Sequence, residues 1–298
     1  METSGPDLFA GFASLPLQDQ AYDLGHGVKL RQVSAHLFAN FMMAFAPAES
    51  GKPHLGPWTA TRGGIAHDIT AELFIPAVPT ASLGSTDSIA RAIAFTLRLG
   101  VDPAASLSIF SNRPFEASAQ TSNTDAWLYP IEAEERRFQL ATSGEPFNKA
   151  AALWVAEKWP VALKFISQSS EFSLAVDALN IGQYVHRSAL TIMALWAALE
   201  ALFSPSTAEL RFRVSALIAA YLEAPGMRRH ARAKEVAKLY DRRSSAAHGG
   251  SKHDNADVLA SFNLVREVLT KMLEEKHVPT KEELERRLYA MDVQPEPD

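Results

Sequence analysis

The residues of this chain that are best suited to act together chemically lie between Tyr240 and Gly250, in the segment Tyr-Asp-Arg-Arg-Ser-Ser-Ala-Ala-His-Gly-Gly. Arg243 and His248 stand five positions apart in it, and two glycines follow the histidine. Arginine stays charged and binds phosphate through a planar fork of N–H donors. Histidine exchanges protons near neutral pH. The pair therefore suits the cleavage of a phosphodiester without a metal ion.

RNA carries its own nucleophile for this reaction, because the ribose 2′-OH can attack the adjacent phosphorus while the 5′-oxygen leaves. His248 would move a proton, and Arg243 would stabilise the charge that grows on the non-bridging oxygens. Positions five apart do not share one face of a regular helix. We expect either that the end of the helix turns His248 towards Arg243, or that the pair meets its equivalent from a second subunit across a two-fold axis. The alternative is that Arg243 forms a surface ion pair and His248 caps a helix C-terminus.

The helix that leads to this segment is basic. Between Gly226 and Lys252 the chain has eight lysines and arginines and only two carboxylates, although the whole chain has a net charge of -5. A local field of this sign suits an anionic ligand. A solvated helix face or an acidic protein partner would explain the same charges. The positions that we expect to contact RNA are Arg229, Arg232, Lys238 and Arg242.

Composition limits the classes of function. A chain of 298 residues is long enough for about two domains. The absence of cysteine excludes disulfides, thiolate metal sites and cysteine nucleophiles. The N-terminus lacks the pattern of a secretory signal, and the apolar stretch Ala189–Phe203 is too short to span a bilayer and contains Glu200. The first 140 residues contain no glycine-rich phosphate loop and no metal-spaced histidine pair. We expect a cytoplasmic protein with no membrane contact, no metal and no other cofactor.

The pattern of the chain changes near residue 145, and the predicted fold class is α+β. Residues 1–145 predict a mixed α/β domain with an irregular lead-in over residues 1–27. Residues 146–169 predict a connecting helix and a linker. Residues 170–298 predict a bundle that contains only helices.

The individual elements follow from hydrophobic period and from stop signals. The predicted strands are Val28–Phe45 (one long or two short), Asp68–Ile75, Leu107–Phe110 and Trp127–Ile131, with a Gly- and Pro-rich loop after the first that extends to Gly64. The predicted helices are Ile89–Leu99, Phe147–Ile166, Phe172–Leu179, Tyr184–Phe203, Glu209–Leu222, Arg229–Ser245 and Val258–Glu275. A capping box from Thr280 to Glu283 predicts a short last helix.

The motif and the two helices before it resemble a known family. The motif reads Tyr240-x-x-Arg243-Ser244-x-x-x-His248-Gly249. The first helix, Ala189–Phe203, ends in Ala-Leu-Glu-Ala-Leu-Phe, and the second is Glu209–Leu222. Together they closely resemble HEPN domains of the Apea-like kind, over roughly residues 170–275.

The resemblance implies a bundle of four or five helices with the Arg–His motif in a cleft at a dimer interface. Catalytic members are metal-independent endoribonucleases, and many are toxins or effectors of defence against phage. By position Arg243 and His248 are the motif pair, although Arg242 would also fit. Ser244 stands where many catalytic members have Asn, Asp or His. Ser244, Glu200 and Tyr240 are expected to be accessory residues. Glu200 would orient Arg243 or His248, and the alternative is that it faces solvent.

The partners implied by the resemblance are RNA, a second copy of the chain bound through the helical bundle, and an antitoxin or defence partner. The N-terminal domain would sense a trigger, restrain the nuclease or position RNA. Two other classes of function use the same features. One is a non-catalytic module that binds nucleic acid or nucleotides, and the other is a scaffold whose bundle only dimerises.

Overall fold

The computed structural model describes residues 6–44, 59–118, 126–132, 145–204, 209–247 and 255–291. Contacts divide the chain into two units. The sheet unit is Met1–Ala90, Ala105–Ala133 and Glu145–Ala152, and the helical unit is Arg91–Ala104, Glu134–Gly144 and Leu153–Asp298. The predicted α+β class is confirmed, since an antiparallel sheet forms the first unit and helices dominate the second.

Six strands form one antiparallel sheet in the order β2-β3-β4-β1-β5-β6. They are β1 (Leu8–Ala13), β2 (Ala21–Asp23), β3 (Lys29–Ala44), β4 (Thr59–Ile75), β5 (Ser106–Ser111) and β6 (Leu128–Pro130). The expectation of an irregular lead-in over residues 1–27 is wrong, because that region contains β1 and β2. β1 lies between two other strands and is apolar on both faces, so it lacks the alternation by which a strand is recognised.

The strands β3 and β4 pair along most of their length, and β3 is one long strand. The predicted loop reached Gly64, but β4 already begins at Thr59, which corrects that boundary. The register between the two strands shifts between Ala39 and Phe41, opposite Gly63 and Gly64. Glycine is common at such a bulge, because it adopts backbone conformations that other residues avoid. Glycine therefore marks an irregularity inside the strand here and not its end.

A buried carboxylate ties three parts of the sheet unit together. Glu72 of β4 is fully buried, and its Oε1 lies 2.7 Å from Nε of Arg31 on β3. Its Oε2 accepts a hydrogen bond of 2.8 Å from the backbone N–H of Phe115, at the start of a short helix. A buried charge is tolerated only when it is paired and hydrogen-bonded in this way.

We expect Arg31→Ala to lower the free energy of unfolding by about 1–3 kcal/mol, the cost of leaving a buried polar group without its partner. Lys29→Ala, an exposed position on the same strand, should change it by less than about 0.5 kcal/mol. Urea denaturation of both variants measures the difference. Equal stability of the two variants would contradict the role of the Arg31–Glu72 pair.

Ten α-helices lie within the described residues. They are α1 (Ala77–Thr80), α2 (Thr86–Gly100), α3 (Phe115–Ser118), α4 (Lys149–Gln168), α5 (Ser170–Ile181), α6 (Ser188–Phe203), α7 (Leu210–Leu222), α8 (Met227–Ala247), α9 (Asn255–Glu275) and α10 (Lys281–Leu288). The seven predicted longer helices and the short last helix are confirmed to within a few residues. The four-residue helices α1 and α3 were not predicted, since one turn has no period to detect.

Helix boundaries follow the capping chemistry. Thr280 and Glu283 form both halves of the predicted capping box at the start of α10. The predicted linker after α4 is only one residue long, because Ser169 caps α5 by accepting a hydrogen bond of 3.1 Å from the N–H of Phe172. Tyr184 belongs to a short 3-10 turn, so α6 begins at Ser188.

The helix α6 lies at the centre of the helical unit and packs against α5, α7, α8 and α9. Leu195, Trp196 and Leu199 are fully buried in the core of this unit. A helix that is apolar on nearly all sides is typically surrounded by others, and α6 has that composition. None of the helices in the described ranges is long and apolar enough to cross a membrane.

Candidate functional site

An ion pair between α6 and α8 is the centre of the candidate site. Nη2 of Arg243 donates a hydrogen bond of 3.3 Å to Oε2 of Glu200. Nε of Arg243 lies 3.1 Å from Oε1 of the same carboxylate, although these two atoms are not aligned for a hydrogen bond. The side chains of Arg243 and Glu200 are 27% and 18% exposed. Glu200 was expected to orient Arg243 or His248, and the structure places its carboxylate on Arg243.

Two aromatic side chains border this ion pair. Cζ of Arg243 lies 5.6 Å from the centre of the Tyr240 ring, a contact that favours a cation. Tyr240 meets Trp196 edge to face, with ring centres 5.3 Å apart. Trp196 is fixed in turn by α9, because its Nε1 donates a hydrogen bond of 3.2 Å to Oγ of Ser261. The arginine is therefore held against the Tyr240 ring as well as against a carboxylate.

Helical spacing brings these four side chains together. Trp196 and Glu200 are four positions apart on α6, and Tyr240 and Arg243 are three apart on α8, so each pair shares one face of its helix. The faces meet because α6 and α8 pack together and Val236 anchors the same side of α8 in the core. The ion pair lies at the end of this apolar face.

Tyr240 remains a neutral hydrogen-bond donor at physiological pH. Burial of its hydroxyl raises the pKa of Tyr240 above its ordinary value, and the negative charge of Glu200 raises it further, while Arg243 opposes both. Tyr240 therefore contributes packing and a polar hydroxyl to the site, and it takes no part as a phenolate.

Among the described residues, Glu200 is the one that accepts a hydrogen bond from the Arg243 guanidinium, which therefore retains capacity for a second anion. Arginine has five N–H donors, and one of them donates to Glu200. A guanidinium held on one side by a carboxylate and an aromatic ring presents its remaining donors in a fixed direction. Such a preorganised cation is the type of group that stabilises a developing oxyanion.

Three other predicted site residues of α8 are more exposed to solvent than Arg243 or lie away from its ion pair. The Arg242 side chain is 65% exposed, and its Nε is 3.7 Å from Oδ1 of Asp257 on α9. Lys238 is exposed and Ser244 is half-buried. Arg242 and Arg243 are adjacent in sequence, but one faces solvent and the other faces α6.

Two other predicted RNA contacts are engaged in holding α8 in place. Arg229 donates to the backbone carbonyls of Glu223 at 3.0 Å and of Arg287 at 2.9 Å, at the ends of α7 and α10. Arg232 forms ion pairs with Glu235 at 3.2 Å and with Glu267. Their guanidinium groups are directed to protein atoms, and the structure does not bring them together with Arg243.

His248, the other half of the predicted pair, lies outside the described residues. The described part of α8 is helical through Ala247, one residue before the histidine. The prediction that His248 approaches Arg243 therefore stays a prediction.

Trp196 is the site residue that the sequence reasoning missed. The sequence could have indicated it, because Trp196 stands four positions before Glu200 in an otherwise aliphatic helix and so shares a helix face with it. A buried indole needs a partner for its N–H, and that requirement would have directed attention to a hydroxyl such as Ser261. Asp257, the partner of Arg242, carried no comparable signal.

No group of three or more His, Asp or Glu side chains in the described ranges is arranged to hold a metal ion. The expectation that the protein works without a metal stays a prediction. Comparisons with protein-family models, with curated proteins and with solved structures gave no match to this chain.

The ion pair predicts strong energetic coupling between its two residues. A double-mutant cycle of Glu200→Ala and Arg243→Ala should give a coupling free energy of about 1.5–3 kcal/mol, the range for hydrogen bonds to charged groups. The matched cycle of Arg242→Ala and Asp257→Ala, an exposed and longer contact, should give at most about 1 kcal/mol. Urea denaturation of the single and double variants measures both. A coupling free energy for Glu200 and Arg243 that is no larger than that of the control pair would contradict a strong interaction between them.

Proposed function

We propose that this protein is a metal-independent endoribonuclease that cleaves RNA by attack of the 2′-OH, and that it acts in the cytoplasm. The observation that supports the proposal most directly is the preorganised guanidinium of Arg243, five residues before His248 on a basic helix. In this proposal Arg243 binds the scissile phosphate and His248 transfers protons.

The reaction assigns one task to each group. The 2′-oxygen bonds to phosphorus and gives up its proton, while the bond from phosphorus to the 5′-oxygen breaks and that oxygen takes up a proton. The products are a 2′,3′-cyclic phosphate and a 5′-hydroxyl. Arg243 stabilises the negative charge on the non-bridging oxygens in the transition state. Two proton transfers on opposite sides of the phosphorus need two groups, and a second His248 from a partner chain would supply one of them.

In this proposal fewer residues bind RNA than the sequence indicated. Arg229 and Arg232 already bind protein atoms. The exposed cations Lys238 and Arg242 therefore remain to bind the backbone on either side of the scissile phosphate. Contacts of this kind add affinity that falls with salt concentration and carry no sequence information.

A homodimer is the proposed active form, and α6 offers a surface for it. On the outward side of this central helix the side chains of Leu190, Met193, Ala194 and Ala197 are exposed. Four apolar residues on one exposed face are typical of a surface that a partner covers. Because α6 also carries Glu200, contact through this helix would bring the two sites of a dimer near one another.

We expect Met193→Lys to dissociate the dimer, since a charge at an apolar interface loses its hydration. Met227→Lys introduces the same change at another exposed methionine, at the start of α8, and should leave the dimer intact. Light scattering on a sizing column gives the mass of each variant. A wild-type monomer, or equal masses for both variants, would contradict the assignment of the surface.

The biological role proposed for this activity is that of a toxin or an anti-phage effector. It rests on the resemblance of residues 170–275 to Apea-like HEPN domains. The sheet unit would sense a trigger or restrain the nuclease, and an antitoxin or defence partner would bind the chain.

A module that binds RNA or nucleotides without cleaving them is the second candidate. The observation that favours it is the ion pair itself, because Glu200 offsets the charge of Arg243. Ser244, at a position where many catalytic family members have Asn, Asp or His, favours it too. Such a module would bind RNA with strong salt dependence and leave it intact.

Cleavage of a labelled RNA by the purified variants separates these functions. Arg243→Ala should lower the rate by about 10²–10³-fold, the effect of removing one donor to an oxyanion. His248→Ala should lower it by about 10²–10⁴-fold, the contribution of general acid–base catalysis. Arg242→Ala, the adjacent exposed arginine, should retain most of the activity at saturating RNA.

Further controls distinguish a loss of catalysis from a loss of folding. Arg243→Lys preserves the charge next to Glu200 but lacks the planar fork, so it should fold and still cleave slowly. Circular dichroism and light scattering confirm that each variant is folded and has the wild-type mass. Full activity of His248→Ala would contradict the proposed mechanism, and intact RNA with the wild-type protein would favour the binding module.

A further inference from the structure

A small pocket lies between the first half of α7 and the end of α10, and we call it the α7–α10 pocket. Its volume is about 240 Å³, which is below the range of about 300–1,000 Å³ that is common for small-molecule sites. Leu217 and Leu288 are the aliphatic residues of its lining, and Phe212 and Tyr289 are the aromatic ones. The pocket therefore suits one large apolar side chain better than a whole small molecule.

Large apolar side chains stand exposed at this pocket. Phe212 of α7 is 67% exposed and Tyr289, directly after α10, is 72% exposed. Met291, two residues further on, is exposed as well. Single exposed apolar residues are normal on a protein surface, but a group of them around one pocket is typical of a surface that another protein covers. Aromatic residues, methionine and arginine are also the residue types that are enriched in such interfaces.

Two arginines at the start of α7 differ in their surroundings. The helix begins with Leu-Arg-Phe-Arg and has no acidic residue in its first turn, although cations are unfavourable near the positive end of a helix dipole. Arg211 is compensated by Asp241 of α8, whose carboxylate accepts hydrogen bonds of 2.6 and 2.9 Å from its guanidinium. Arg213 lines the pocket, and its Nε is withdrawn from water without an acceptor among the described residues. A carboxylate at the outer nitrogens of Arg213 would supply the compensation that Arg211 already has.

The other charged residues of the lining make a nucleic acid a poor occupant. Glu209 and Glu285 line the same pocket and are exposed to water. A nucleic acid carries one negative charge on each nucleotide, so its backbone would be repelled by both carboxylates. A peptide can place a single acidic side chain at Arg213 and neutral residues beside the two glutamates. The charges of the pocket therefore favour a protein segment.

We propose that the α7–α10 pocket binds a segment of a partner protein in which an aromatic or long aliphatic side chain stands next to Asp or Glu. The apolar side chain fills the pocket and contacts Phe212 and Tyr289, and the neighbouring carboxylate binds Arg213. Buried anchors of this kind supply most of the binding energy of a protein interface. The interaction does not depend on ribonuclease activity, and it uses none of the residues assigned to RNA above.

Selection of random dodecapeptides, displayed on phage, against the full chain provides a defined probe. The enriched sequences should share an aromatic or long aliphatic residue next to Asp or Glu. The most enriched peptide is then synthesised with a fluorescent label, and its affinity for each variant is measured by fluorescence anisotropy.

Substitutions in the pocket should weaken binding of this peptide. Arg213→Gln should do so about tenfold or more, the loss expected for one hydrogen bond between charged groups. Phe212→Ser should cause a loss of at least similar size, because it removes an aromatic wall of the pocket. Arg211→Gln, the matched change at the arginine that Asp241 already pairs, and Leu153→Ser, at an exposed leucine of α4, should bind the peptide as the wild type does. Circular dichroism confirms that each variant is folded.

An exchange of charges tests the contact with Arg213 itself. Arg213→Glu should fold, because a negative charge suits this end of α7, and it should reject the selected peptide. A peptide with Lys in place of the acidic residue should bind Arg213→Glu more tightly than the wild type. Arg243→Ala should retain binding of the selected peptide, and a 2′-O-methyl RNA of mixed sequence should not displace it, because neither belongs to this pocket.

Three outcomes would overturn the proposal. The first is a selection that enriches no sequence with an apolar residue next to an acidic one. The second is unchanged affinity in Phe212→Ser and Arg213→Gln, or an equal loss in Arg211→Gln. The third is displacement of the peptide by the RNA, with RNA binding that is lost in the same two pocket variants, which would assign the pocket to the nucleic-acid surface.

Discussion

The ion pair between Glu200 and Arg243 is the interaction on which the candidate site depends. It joins the central helix α6 to the basic helix α8 and sets the direction of Arg243. Both side chains are largely withdrawn from water, and each would be costly to leave without the other. The aromatic contact of Tyr240 with Trp196 fixes the apolar side of the same arrangement.

The charges of α8 divide into two groups with different tasks. Arg229 and Arg232 bind carbonyls and carboxylates of neighbouring helices and so hold α8 in place. Lys238 and Arg242 are exposed at the surface. Part of the positive charge of α8 thus stabilises the packing of the helices, and only the rest is exposed to an anionic ligand. Arg243 combines the two roles, because Glu200 anchors it and it has further N–H donors that do not donate to any of the described residues.

Hydrophobic period and capping chemistry were enough to predict the individual helices of the helical unit, although this unit also includes part of α2 and α4, which the prediction placed outside the bundle. The apolar residues of Tyr184–Phe203 indicated a helix where α6 forms, and the sequence from Thr280 to Glu283 indicated the cap that forms. The sheet unit was harder, because β1 is apolar on both faces and glycines lie inside β4. Local patterns also could not distinguish Arg242 from Arg243, since adjacent residues of one type differ only in what the opposite helix offers them. The pairing of Glu200 with Arg243 depends on a contact between two segments that lie far apart in sequence.

The chemistry of the cut ends tests the central proposal most directly. Wild-type protein should convert a defined RNA, in the presence of EDTA, to fragments that end in a 2′,3′-cyclic phosphate and begin with a 5′-hydroxyl, as read by mass spectrometry. A single 2′-deoxy substitution at the cleaved position should block that cut. Fragments with 5′-phosphate ends, or cleavage that stops when EDTA is added, would contradict a mechanism based on Arg243, His248 and the 2′-OH of the substrate.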